Sequence, residues 1–215
     1  MPHTKWKQDF FDDVKPISLK DPLASILGAT DDGEPIHYTY KDCVKLAGHS
    51  CASVSSAYRI TQLALEKLYD GELPVRGEIE VRYAGHREAG ANGPIGQVIQ
   101  FITGASIETG FHGLGGEYAR DNKFVYDEKM GNESGGIMVA FRRIDTGKTV
   151  VGYAIPSRVA MSEEEIEFST YMPKVLQGVA SNDERDMFYK YWQGKNKKIL
   201  LGNHPEAFVV EEVTA

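Results

Sequence analysis

Cysteine is almost absent: 215 residues contain only Cys43 and Cys51. Two cysteines exclude a disulfide framework, and free thiols in a reducing compartment are the simpler reading. No C-x-x-C-H occurs, which excludes covalently attached haem. No apolar run approaches the ~18 residues of a membrane span; the longest is the short stretch IMVAF at 137–141. Basic charge is also short, with 24 Lys and Arg against 31 Asp and Glu and a net charge of −7. Such a chain repels phosphate backbones, so nucleic acid is not expected as a partner. The one basic cluster, GKNKK at 194–198, reads as a solvated loop. The opening MPHTKWKQDFFDD lacks the apolar core of a signal peptide, and a cytoplasmic protein is expected.

What is present is ordinary globular material, 41 % apolar and 26 % charged. There is no internal repeat and no long linker. Three regions of one domain are expected: a polar lead-in over 1–37, an α+β core over 38–160, and a helical extension over 161–215. In the lead-in, Asp21, Pro22 and Gly28 frame a short helix. Thr39 and Gly48 frame a second. A long helix follows, with apolar positions Val54, Tyr58, Leu65 and Leu68 at helical spacing and an end at Gly71. Ser50 is the expected N-cap of that long helix.

After Pro74 the period changes to two. Strands are expected at about 76–84, 96–105, 134–144 and 148–156, the last two joined by a turn at Asp145-Thr146-Gly147. Because both faces of 96–105 are apolar, it reads as a central strand. Ser162-x-x-Glu165 and Ser181-x-x-Glu184 are capping boxes that open helices near 163–177 and 182–193. Residues 208–213 fit a last edge strand. The fold class is α+β: N-terminal helices packed on an antiparallel sheet, with C-terminal helices.

The pair His49-x-Cys51 is the strongest chemical signal. With Ser50 as cap, Cys51 would open the long helix, where unpaired N–H groups and the helix dipole favour a thiolate. Thiolate beside imidazole is a soft donor pair suited to zinc or another late transition metal. The competing reading is structural: a half-buried cysteine packed under the helix, and a histidine that caps the preceding turn.

The stretch AGHSCASVSSAYRITQLALEKLYDG resembles the opening of the FmdE family of formylmethanofuran dehydrogenase components, a G-H-x-C followed by a long helix. GPIGQVIQFITGASIETGFHG is similar to the family's second segment, and GIMVAFRRIDTGKTVVGYAI to its closing hairpin. The resemblance spans roughly 40–156. It implies an α+β core, a homodimer, and a metal near the His-x-Cys, zinc first among the candidates. Gly48, His49 and Cys51 carry over residue by residue. The chain departs from the family at Ala52, where proline is usual, at Gly93 to Gly96 and Ala105, where cysteines are usual, and in having no cysteine after Cys51.

Replacement ligands are sought among the loop histidines. His112, in GFHGLGG, and His86, in AGHREAG, are expected to join His49 and Cys51 as metal ligands at one pocket; His37 is a weaker candidate, and His3 and His204 carry no argument. The glycine loop at 110–116 has neither phosphate-loop spacing and is read as folding over the site, with Glu117, Tyr118 and Arg120 available to a ligand. Two alternatives stay open. One is a haem or metallated-cofactor carrier with His49 or Cys51 as axial ligand. The other is an enzyme with Cys51 as nucleophile and His49 or His112 as base. Catalytic residues and substrate are not assigned.

Overall fold

A computed structural model describes residues 4–132 and 135–213; His3 and the start of the expected strand at 134 lie outside them. The chain is an α+β protein built on a five-stranded sheet in the order β4-β3-β5-β6-β7. These strands are β3 (Ile79–Ala84), β4 (Phe124–Asp127), β5 (Ile137–Arg143), β6 (Thr149–Ala154) and β7 (Phe208–Glu212). All pairs are antiparallel except β3–β4. The turn at 145–147 joins β5 to β6 as expected, with the Thr146 N–H donating to Asp145 Oδ1 at 2.8 Å. No helix among the described residues is long and apolar enough to cross a membrane.

The expected central strand at 96–105 is a helix, α4 (Asn92–Thr103). Ile95, Val98, Ile99 and Ile102 stand at i, i+3, i+4 and i+7, and all four are buried. In so apolar a segment a period of two and a period of 3.6 are both satisfied, and tertiary packing decides. β-branched residues at Val98, Ile99, Ile102 and Thr103 favour the strand reading locally. Against them, Thr103 Oγ1 donates back to the Ile99 carbonyl at 2.7 Å, and Gly104 closes the helix at φ 74°. A side chain at Gly96 would collide with the ring of Tyr126, so this glycine lets α4 lie close on β4. The helix is the crossover that lets β3 and β4 run parallel.

The lead-in is more structured than its polarity suggests. β1 (Ile17–Lys20) and β2 (Pro35–Tyr38) form a small antiparallel ladder around α1 (Pro22–Ile26). Phe10, Phe11, Val14, Ile17 and Leu19 join the main core. The long helix α3 (Ala52–Tyr69) is the central element and packs on α2 (Tyr40–Ala47), α4, β5, β6 and β7. The expected helix over 163–177 is broken into α5 (Glu163–Ser169) and α6 (Met172–Leu176). The C-terminal helix α7 (Asn182–Leu201) runs past Gln193, where an end was expected, so GKNKK lies on a helix rather than in a loop. Its last turns pack against α3 and bury Asn196, Ile199 and Leu200.

Candidate functional site

The corner between α2 and α3 is built by its caps. Thr39 and Asp42 form a reciprocal capping box that starts α2, and Gly48 ends it at φ 74°, a conformation that disfavours a side chain. The chain turns and re-enters helix after Cys51, whose φ of −149° and ψ of 170° make it the N-cap of α3. The expected cap is thereby corrected: Ser50 does not cap α3, and Cys51 is not its first helical residue. The Ser50 hydroxyl is taken by buried partners instead.

Those partners form a polar network. Ser50 Oγ donates to Gln193 Oε1 at 3.0 Å and accepts from Asn196 Nδ2 at 3.2 Å. It lies 2.8 Å from the Tyr40 hydroxyl, which is also 2.8 Å from Ser55 Oγ. With Ser50 donating to Gln193, the protons order as Ser55 to Tyr40 to Ser50 to Gln193. Burial pushes the Tyr40 phenol up to about 12, so it stays a neutral hydroxyl. Trp192 Nε1 donates to the Ser50 carbonyl at 2.8 Å. The corner is thus locked onto α7.

His49 is exposed, and its Nδ1 lies 2.9 Å from the Ala47 carbonyl. A carbonyl only accepts, so Nδ1 carries a proton, and in the neutral ring Nε2 keeps its lone pair. This is the arrangement that prepares an imidazole to ligate a metal, because the ring is oriented and its tautomer set by a backbone acceptor. It also satisfies the structural reading, in which His49 caps the end of α2. Cys51 is a free thiol, half-buried against the core. Cys43 is fully buried in α2, and burial pushes its thiol up to about 12, which makes it inert at neutral pH.

A cavity of about 350 Å³ lies beside the corner, lined by Trp6, Phe11, Val44, His49, Ser50, Tyr189 and Gln193 among others. It shares Lys7, Gln8, Tyr189 and Gln193 with a second cavity of about 710 Å³ between the N-terminal segment and α7. The two make one groove.

The other histidines have partners elsewhere. His112 Nδ1 is 3.0 Å from Asp121 Oδ2. His86 accepts from the Glu88 N–H at 3.2 Å, and its Nε2 is 3.9 Å from Glu128. His37 Nδ1 pairs with Ser18 Oγ at 2.7 Å, and His204 with Glu206. Among the described residues, neither His86 nor His112 lines the cavity at His49, and no three His, Cys, Asp or Glu side chains are grouped to hold a metal.

The glycine loop is pinned rather than draped: Leu114 and Glu117 exchange backbone hydrogen bonds, and the Arg120 N–H donates to the Phe111 carbonyl at 2.7 Å. Arg120 is not available to a ligand at His49, because its guanidinium donates to buried Asp21 at 2.6 Å. Glu117, Tyr118 and Arg120 line a cavity of only about 60 Å³ beside Pro22 and Arg76.

Sequence reasoning missed Tyr40, Gln193, Trp192 and Asn196 as supports of the corner. A signal existed: Phe188, Trp192 and Asn196 recur every four residues after the Ser181 capping box. Ending that helix at 193 hid it. No family model and no curated protein matches the chain.

Proposed function

We propose that the chain is an FmdE-like metal-binding protein that holds a transition metal, zinc first, through His49 and Cys51. The observation that carries this reading is the hydrogen bond from His49 Nδ1 to the Ala47 carbonyl, which leaves an exposed Nε2 lone pair two residues from a free thiol. Imidazole and thiolate are the donor types zinc takes. With two protein donors the coordination is open, and water completes it; His49 lines the adjoining groove and Cys51 does not. A metal bound in this way supplies Lewis acidity and acidifies its water. A homodimer and a cytoplasmic location belong to the same reading, the first supported by the resemblance and the second by the two unpaired cysteines.

Equilibrium dialysis against zinc tests it. The wild-type protein retains one equivalent of zinc at neutral pH, and His49→Ala and Cys51→Ser each weaken retention by about tenfold or more, the scale of one lost ligand interaction. His49 is exposed and Cys51 half-buried, so neither substitution opens a core cavity, and circular dichroism of each variant checks that it folds. Equal zinc retention by the wild type and both variants would overturn the reading.

A further inference from the structure

Gln193 lines both halves of the groove and is held from behind. Its Oε1 accepts from Ser50 Oγ at 3.0 Å and from Asn196 Nδ2 at 3.2 Å. Ser50 is itself held by Tyr40, and Asn196 is 1 % exposed. The plane of the side-chain amide is therefore fixed. Its Nε2 carries two N–H donors and has no partner among the described residues. A fixed, half-buried, unpaired donor is a recognition element, because an acceptor placed there gains a hydrogen bond without ordering the side chain.

The surroundings narrow the ligand. Trp6 supplies aromatic wall beside the amide, and the Tyr189 ring carries the Lys7 ammonium at 4.3 Å. The larger half of the groove carries Lys7, Lys190 and Lys197 against Asp9, Asp183 and Asp186, so its formal charges balance. The lining therefore carries no net formal charge to draw in an ion of one sign, and a neutral carbonyl oxygen is a partner for an amide N–H. The half beside Trp6 and Gln193, about 350 Å³, falls in the range of small-molecule sites.

We propose that this groove is a binding site for a small, neutral, planar aromatic carbonyl compound, its oxygen accepting from Gln193 Nε2 and its ring lying against Trp6. The proposal does not use the metal at His49, and its test is run in EDTA so that the two readings fail separately.

The probes are benzamide and benzamidine, which share ring and shape but differ in one atom, a carbonyl oxygen against an amidinium nitrogen. Binding is read from the indole N–H resonance of Trp6, which is distinct from that of Trp192, whose indole donates to the Ser50 carbonyl. Benzamide shifts the Trp6 signal with a millimolar or tighter Kd, and benzamidine binds about tenfold more weakly, the worth of one hydrogen bond. Gln193→Glu keeps an oxygen toward Ser50 and Asn196 and replaces Nε2 by a second oxygen, so it inverts the order of the two probes. Absence of a Trp6 shift at about ten millimolar benzamide, equal binding of both probes by the wild type, or an unchanged order in Gln193→Glu would each overturn the proposal. The wild-type comparison stands even if the variant does not fold.

Discussion

Replacing Asp21 by alanine is expected to destabilise the protein by about 3 kcal/mol or more, the cost of stranding a buried ion-pair partner. Asp21 is 5 % exposed and does three things at once. It caps α1 by accepting from the Ala24 N–H at 3.2 Å. It binds Arg76 at 3.0 Å and Arg120 at 2.6 Å, one guanidinium on each carboxylate oxygen. Arg76 also donates to the Phe101 and Ile102 carbonyls at the end of α4. Arg120 has no other side-chain partner among the described residues, so alanine strands it. One carboxylate therefore ties the lead-in, the entry to β3, the end of α4 and the loop before β4. Urea unfolding measures the loss as a lower midpoint at unchanged slope. Asp21→Asn keeps the cap and one acceptor and falls between wild type and alanine. A midpoint for Asp21→Ala within error of wild type would show the node to be dispensable.

The second large effect is at Tyr40. Tyr40→Ala is expected to cost about 3–5 kcal/mol, as for a fully buried aromatic. Its ring meets Phe11 and Tyr58 edge-on, at centroid distances of 5.2 and 5.6 Å. Tyr40→Phe keeps that packing and removes only the hydroxyl, leaving Ser50 and Ser55 one partner short, a loss of about 1–3 kcal/mol. The difference between the two variants separates ring packing from the polar network. If phenylalanine is neutral, the network does not hold the corner; if it matches alanine, the ring contributes nothing. The midpoint of urea unfolding reads both.

Where local chemistry fixes an element, the sequence was legible. Thr39 opens α2, Asp21 caps α1, and Ser162 and Ser181 open α5 and α7, each through a side chain whose bond lies within three residues, and Gly48 ends α2 through its left-handed backbone. The α+β class and the β5–β6 hairpin followed from period and turn chemistry. Errors arose where long-range packing decides. Residues 96–103 carry a pattern compatible with strand and helix, and only their burial against α3 and β4 settles it. Ser50 has the chemistry of an N-cap, but Gln193 and Asn196, 143 and 146 residues away, compete for its hydroxyl. The four-residue β4 and the pairing of β1 with β2 carry too little pattern to stand out from loops.

At the candidate site the sequence singles out His49 and Cys51 by type and spacing. It is silent on the Ala47 carbonyl, which selects the imidazole tautomer, and on the groove, which α7 closes from the far end of the chain. His86 and His112 were attractive because glycine-rich loops carry function; each instead faces an acidic neighbour in its own part of the fold, Glu128 and Asp121.

Cobalt(II) titration of the metal-free protein, followed by absorption spectroscopy, tests the metal reading most directly. A cobalt ion bound by Cys51 thiolate gives a sulfur-to-metal charge-transfer band in the near ultraviolet that saturates at one equivalent. The band disappears in Cys51→Ser and weakens in His49→Ala, and zinc displaces the cobalt. A folded wild-type protein that develops no charge-transfer band with cobalt, or a band that survives Cys51→Ser, would contradict it.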